Sequence, residues 1–164
     1  MFRDARRADL PEFIQLWTDF IEELAQVGGE FVADEGTLRD VRNLFDAYVS
    51  GALDGLVVLY EPPGEGLQGV GFIGETRGDA AIRDSRFGKM AHTWGLYIRP
   101  AHRKKKIGYH LQMNIGRKLK TLGFDTVGAT ILDDNNIAKL AALGSGMKPH
   151  ATVWRCVLEE WTHG

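Results

Sequence analysis

Apolar positions along the chain follow two rhythms, a helical one and an alternating one, in successive blocks. Leu10, Phe13, Ile14, Trp17, Phe20, Ile21 and Leu24 recur at helical spacing and predict a long first helix, ending by Gly28 and Gly29. Asp9 stands at its start with Glu12 three positions on, a capping-box arrangement, and Pro11 fits the first turn. Leu38, Val41, Leu44, Phe45, Tyr48 and Val49 repeat the pattern for a second helix that stops at Gly51. Short runs of β character precede and follow this pair, at 2–6, 56–61 and 70–75, the last two read as a hairpin. A strand at 90–99 shows plain alternation, with His92, Trp94, Leu96 and Ile98 expected on one face and Thr93, Gly95 and Tyr97 on the other.

After that strand the rhythm turns helical again. Leu111, Ile115, Leu119 and Leu122 form one stripe closed by Gly123, then a strand is expected at 125–132 and a short helix through Ile137, Leu140 and Leu143. A break at Gly144-Ser145-Gly146 leads into a last strand, about 150–160. The strands at 90–99 and 125–132 flank a crossover helix and are therefore expected to be parallel, the other neighbours antiparallel. The fold class is thus α/β with a mixed sheet. The charged connector 76–89 is long for a hairpin, which marks it as a functional flap or a poorly ordered excursion.

Composition narrows the picture in a few places. The 164 residues are 44% hydrophobic and 26% charged with net charge −2, as expected of one soluble domain over 1–164. No repeat is visible, and no stretch is apolar enough for a signal peptide or a membrane span, so a cytoplasmic protein without a membrane partner is expected. The lone Cys156 rules out an intrachain disulfide and reads as a buried strand residue. The five histidines show no zinc spacing with acidic partners, so no metal is expected. Charge is distributed unevenly, with acids dominating 19–35 and bases concentrated at 99–120.

That basic block lies between strand and helix. His102, Arg103, Lys104, Lys105 and Lys106 run through Ile107 into Gly108 at the start of a helix, where unpaired N–H groups and the helix dipole favour an anion such as a phosphate. The residue-level alternatives are a solvated loop and a small nucleic-acid patch. Overall charge points to no nucleic-acid partner.

The order of elements, together with Arg103-Lys104-Lys105-Lys106-Ile107-Gly108 and Asn135 through Met147, resembles the GNAT superfamily of acyl-CoA-dependent N-acyltransferases across nearly the whole chain. The family's pyrophosphate signature is Arg or Gln, two residues, Gly, one residue, then Gly or Ala. Arg103 and Gly108 match its ends, whereas Lys106 occupies the usual glycine and serves if its backbone has ordinary helix-entry dihedrals. In the later motif Asn135, Ala138 and Gly146 match, but Ala142 stands where many members carry a tyrosine that protonates the departing thiolate.

The resemblance implies a mostly antiparallel sheet with a central parallel, splayed strand pair and flanking helices. Acetyl-CoA would lie in the splay, its pantetheine bonded to backbone near Leu96, Tyr97 and Ile98 and its pyrophosphate on the N–H groups of 103–108, with Asn135 nearby. It further implies an N-acetyltransferase working by direct attack of a primary amine, small molecule or protein, in a ternary complex. His92 stands six residues before Ile98, where the histone-acetylating branch places its glutamate base, and Glu75 is the substitute. Ser145 and Tyr109 are the stand-in thiolate acids. Glu22, Glu23, Glu30, Asp34 and Glu35 form an acidic stretch that attracts a cationic amine or is a solvated face; Trp17, Phe20 and Trp94 read as core. A catalytically degenerate GNAT-shaped interaction module and a basic-loop nucleic-acid binder are the rival readings. Dimerisation, common in the family, is not legible in these residues.

Overall fold

The computed structural model describes residues 1–28, 32–75, 88–103 and 105–149. The connector 76–87, Glu30, Lys104, the last strand and Cys156 lie outside the described residues. In chain order the elements are β1 (Phe2–Asp4), α1 (Leu10–Gln26), α2 (Glu35–Val49), β2 (Gly55–Tyr60), β3 (Gly69–Gly74), β4 (Met90–Ile98), α3 (Ile107–Thr121), β5 (Thr126–Ala129) and α4 (Asn136–Gly144). The strands form one sheet in the order β1-β2-β3-β4-β5, antiparallel except for the parallel pair β4–β5. The fold class is the expected mixed α/β arrangement.

Each sheet face carries its own core. On one, Phe13, Leu16, Trp17 and Ile21 of α1 and Phe45 and Tyr48 of α2 pack on Val57, Leu59, Val70, Phe72 and Tyr97. On the other, Leu111, Ile115 and Leu119 of α3 cover Val58, Ile73 and Ala91. Each fully buried Leu or Phe side chain contributes about 1.5–3 kcal/mol relative to its exposure. Gly71 lets α3 settle against the sheet, because a Cβ there would collide with the Ile115 Cδ1.

The start of α1 is held differently from the expected capping box. Asp9 gives both carboxylate oxygens to the Arg3 guanidinium, at 2.7 and 2.9 Å, and accepts the Arg6 N–H at 2.6 Å. Arg3 also bonds Glu61 at 2.6 Å. Glu12 reaches away from its own helix to accept the buried Leu67 N–H at 2.6 Å. Local capping therefore gives way to ties between α1, β1 and the β2–β3 loop, because the long-range donors are charged or buried and bind more strongly. By contrast, Asp34 caps α2 through the Thr37 N–H and Asn135 caps α4 through the Ala138 N–H.

Hydrogen bonding to Arg3 holds the Asp9 carboxyl below the usual carboxylate range, against an opposing effect of burial. The stabilisation is complete above the ordinary aspartate pKa and fades as pH falls through the depressed folded value. Urea midpoints measured from about pH 5 down to pH 2 are expected to fall less steeply in Asp9→Asn than in the wild type. Equal slopes would mean that the Arg3–Asp9 pair is not linked to folding.

Candidate active site

β4 does not alternate along its whole length. Its register against β3 runs Phe72 to Gly95 and then Ile73 to Thr93, so Trp94 is an extra residue, a β-bulge. The four residues expected on one face are consequently split. Ala91 belongs to the α3 core, as Leu96 and Ile98 do, whereas Tyr97 packs in the α1–α2 core. Gly95 also faces α1, where an added Cβ would fall 2.7 Å from the Trp17 ring. Trp94 turns to α2, donating its Nε1–H to the Tyr48 hydroxyl at 2.9 Å, and Tyr48 donates in turn to the Glu75 carbonyl at 2.8 Å. Burial of the Tyr48 ring pushes its phenol pKa up, keeping the O–H protonated as a donor.

Beyond the bulge β4 loses one neighbour. β5 pairs only with Met90 to Thr93. Because Arg99 N–H donates to Gln68 C=O at 2.9 Å, the antiparallel alternation turns the Tyr97 backbone groups towards β3 and those of Leu96 and Ile98 towards the side β5 has left. Tyr97 thus offers no backbone group to the gap, contrary to expectation. Its ring is buried on the other face, where desolvation raises its pKa. The gap continues into a cleft of about 330 Å³ lined by Leu96 and Ile98, by Gly108, Tyr109 and Gln112 of α3, and by Ala141, Gly144 and Ser145 of α4. Five of the residues singled out in the sequence, Leu96, Ile98, Gly108, Tyr109 and Ser145, are brought together here.

The basic turn has a defined shape. Lys106 precedes α3 with φ 58° and ψ 12°, the left-handed region, and among the described residues it is the only non-glycine with positive φ. The expected helix-entry geometry is therefore absent, and lysine adopts the conformation that a glycine would take freely. The first α3 bond runs from His110 N–H to Lys106 C=O at 3.0 Å. The N–H groups of Ile107, Gly108 and Tyr109 precede it and have no acceptor within the helix, nor an acidic residue in the first turn.

Arg103 points elsewhere. Its guanidinium bonds Glu23 at 2.6 Å and the Ile98 carbonyl at 2.8 Å, and lies 5.5 Å from the Tyr97 ring centre. Arg99 similarly bonds Asp19 at 2.7 Å, so two acids one turn apart on α1 grip the strand end and the turn. Lys118 is paired with Asp4. Arg99, Arg103 and Lys118 of the basic block are thus matched by acids, whereas Lys105 and Lys106 stand exposed beside the start of α3 and Arg117 and Lys120 are exposed along it. Glu23 and Asp34 of the acidic stretch are engaged as well, in the Arg103 pair and the α2 cap.

On the opposite face lies a second cavity of about 560 Å³ between α1, α2 and the sheet, with Trp17, Leu44, Leu53, Phe72 and Trp94 in its wall. No sequence signal announced it, although Trp17 and Trp94 were read as core. The His92 ring meets the Trp94 ring edge-on with centroids 4.8 Å apart. Residues 94 and 96 of one strand therefore face two cavities on opposite sides of the sheet.

No protein-family model matches the chain, and no curated relative does. Solved structures do match. A predicted acetyltransferase from Clostridium acetobutylicum, crystallised with acetyl-CoA, superposes with a TM-score of 0.76 over 98% of this chain and 97% of that one at 12% identity. The chain has the GNAT fold. An aminoglycoside 6'-N-acetyltransferase from Acinetobacter haemolyticus gives a TM-score of 0.69 at 14% identity, covering 96% and 97% of the two chains. AAC(6')-Iy, in complex with the bisubstrate analogue CoA-S-monomethyl-acetylneamine, gives 0.68 at 10% identity, covering 96% and 97%. Among the described residues no helix is long and apolar enough to cross a membrane.

The left-handed lysine is testable. Its conformation costs about 1–2 kcal/mol, offset on replacement by about 0.4–1 kcal/mol of unfolded-chain entropy that glycine adds. Lys106→Gly is therefore expected to raise unfolding free energy by roughly 0.5–1 kcal/mol in urea titrations. A loss of stability would show that the turn relaxes around lysine without strain.

Proposed function

We propose that this GNAT domain is an N-acetyltransferase that moves an acetyl group from acetyl-CoA to a primary amine. The observation carrying the proposal is the pair of cavities that approach β4 at its bulge, one on each face of the sheet, where a donor and an acceptor can meet. The likeness to a structure holding acetyl-CoA supports the choice of donor.

The residues present fit that donor. Leu96 turns its backbone groups and Ile98 its N–H into the gap, while the Ile107, Gly108 and Tyr109 N–H groups, with Lys105 and Lys106 beside them, suit its pyrophosphate. Arg103 holds the turn through Glu23 and Ile98 rather than meeting phosphate itself. Asn135 acts as the α4 cap, which sets the wall bearing Ser145. Acetyl-CoA supplies a thioester whose carbonyl carbon takes the amine nitrogen, the C–S bond breaking as the C–N bond forms.

The chain's part is to move protons. His92, on the bulged segment beside Trp94, takes the proton that the amine sheds, a task suited to an imidazole of ordinary pKa about 6.5. Glu75 closes β3 with its carbonyl bound to Tyr48 and its N–H on the Asp54 carbonyl at 2.7 Å, and it remains the substitute base. For the thiolate, Tyr109 is the better acid. Its ring is exposed in the cleft, whereas the Ser145 hydroxyl donates to the Ala142 carbonyl at 2.7 Å.

A second reading, a GNAT-shaped module without catalysis, is favoured by Ala142 at the position where many members carry a thiolate-protonating tyrosine. Calorimetry with acetyl-CoA separates the two, since absence of binding at millimolar ligand removes the enzyme. For the enzyme, His92→Ala is expected to lower kcat by about 10²–10⁴-fold while the acetyl-CoA Kd stays within about twofold. The limb of the pH–rate profile near the imidazole pKa is expected to disappear as well. An unchanged rate reassigns the base.

A further inference from the structure

We propose that the acceptor is a primary amine borne on an apolar, ring-sized body with no second positive charge. This rests on the acetyl-transfer reading above and names the substrate class for the same site.

The second cavity, about 560 Å³, is within the range that accommodates a small organic molecule. It reaches the reacting position, because Trp94 belongs both to its wall and to the bulge beside His92. Its walls are the apolar faces of Leu44, Leu53, Phe72 and the two tryptophans, and its polar margin on α2 is neutral at Thr37 and Asn43. Asp40 is the one carboxylate among its described lining residues; its side chain is 77% exposed and stands 3.8 Å from the Arg39 guanidinium. Of the acids nearby, Asp19 and Glu23 are engaged on arginines and Asp34 on the α2 cap, while Glu22 and Glu35 are exposed and stand outside the described lining.

A second ammonium entering this cavity would lose its water without gaining a buried partner, which disfavours polyamines and aminoglycosides. An aromatic or branched aliphatic body loses nothing comparable and gains contact with rings on two sides. One amine is enough for the chemistry, and it sheds its charge at the bulge.

The test uses the full chain with 2-phenylethylamine, spermidine and kanamycin as acceptors, following thiol release from acetyl-CoA. The expected ranking places phenylethylamine at least about tenfold above both polycations in kcat/KM, and a reversed ranking overturns the proposal. Leu44→Lys sets a cation in the wall and is expected to lower phenylethylamine kcat/KM at least about tenfold with acetyl-CoA affinity retained. Indifference in a variant whose circular dichroism is native also overturns it. Should that variant not fold, the wild-type ranking decides. If acetyl-CoA does not bind, the acetyl-transfer reading fails by itself, and the cavity is then judged by fluorescence of Trp17 and Trp94. Saturable quenching by phenylethylamine, absent with spermidine, supports the acceptor class, and no quenching rejects it.

Discussion

One inserted residue governs the arrangement of everything around the site. Trp94 has no single opposite number on β3, and the strand bends there. The bend moves Leu96 and Ile98 onto the α3 side and leaves β5 paired only as far as Thr93. A bulge interrupts ladder hydrogen bonds and needs compensation. Gly95, lacking a Cβ, lets Trp17 and Phe20 close over it, and the run from Trp94 through Tyr48 to the Glu75 carbonyl fixes the displaced side chain. The core of α1 and α2 is thus organised around an irregularity in the sheet.

The other constraint is the grip of α1 on the turn before α3. Asp19 and Glu23 are four apart, so they lie on one helix face, and they meet Arg99 and Arg103 there. Partly exposed pairs of this kind contribute about 0–1 kcal/mol each, too little to explain the fold. Their importance lies in position. They lock the end of β4 to the helix that carries Trp17, so the cleft on one face and the cavity on the other share a rigid boundary.

The legible part of the sequence was whatever depends on periodicity. The long stripes of α1, α2 and α3 and the parallel β4–β5 pair follow from spacing that tolerates no alternative face. Alternation in β4 misled at one point, because period-two counting cannot detect an inserted residue, and the error placed Leu96 and Ile98 on the face of Trp94. Asp9 misled for another reason. A capping box is local, and nothing nearby in sequence announces that Arg3 will take the carboxylate. The resemblance carried by residues 103–108 pointed to this turn, but which of its cations face outward depended on Glu23, eighty residues away. Cavities are products of packing between distant elements, and the one beside Trp94 left no trace in the chain.

The turn at Lys106 brings these threads together. With Arg103 drawn to α1, a negative ligand at this turn on the proposed reading depends on backbone N–H groups more than on side-chain charge. The left-handed dihedral of residue 106 is where the chain turns from the extended Arg103 into the first turn of α3, which carries those groups. Glycine does this without strain and brings no charge. Lysine accepts a cost of about 1–2 kcal/mol and places an ammonium beside the same N–H groups. In a turn whose arginine is committed to a structural role, that exchange adds a second ammonium to that of the exposed Lys105. The substitution that most weakens the motif as a pattern is therefore consistent, in physical terms, with an anion being bound there.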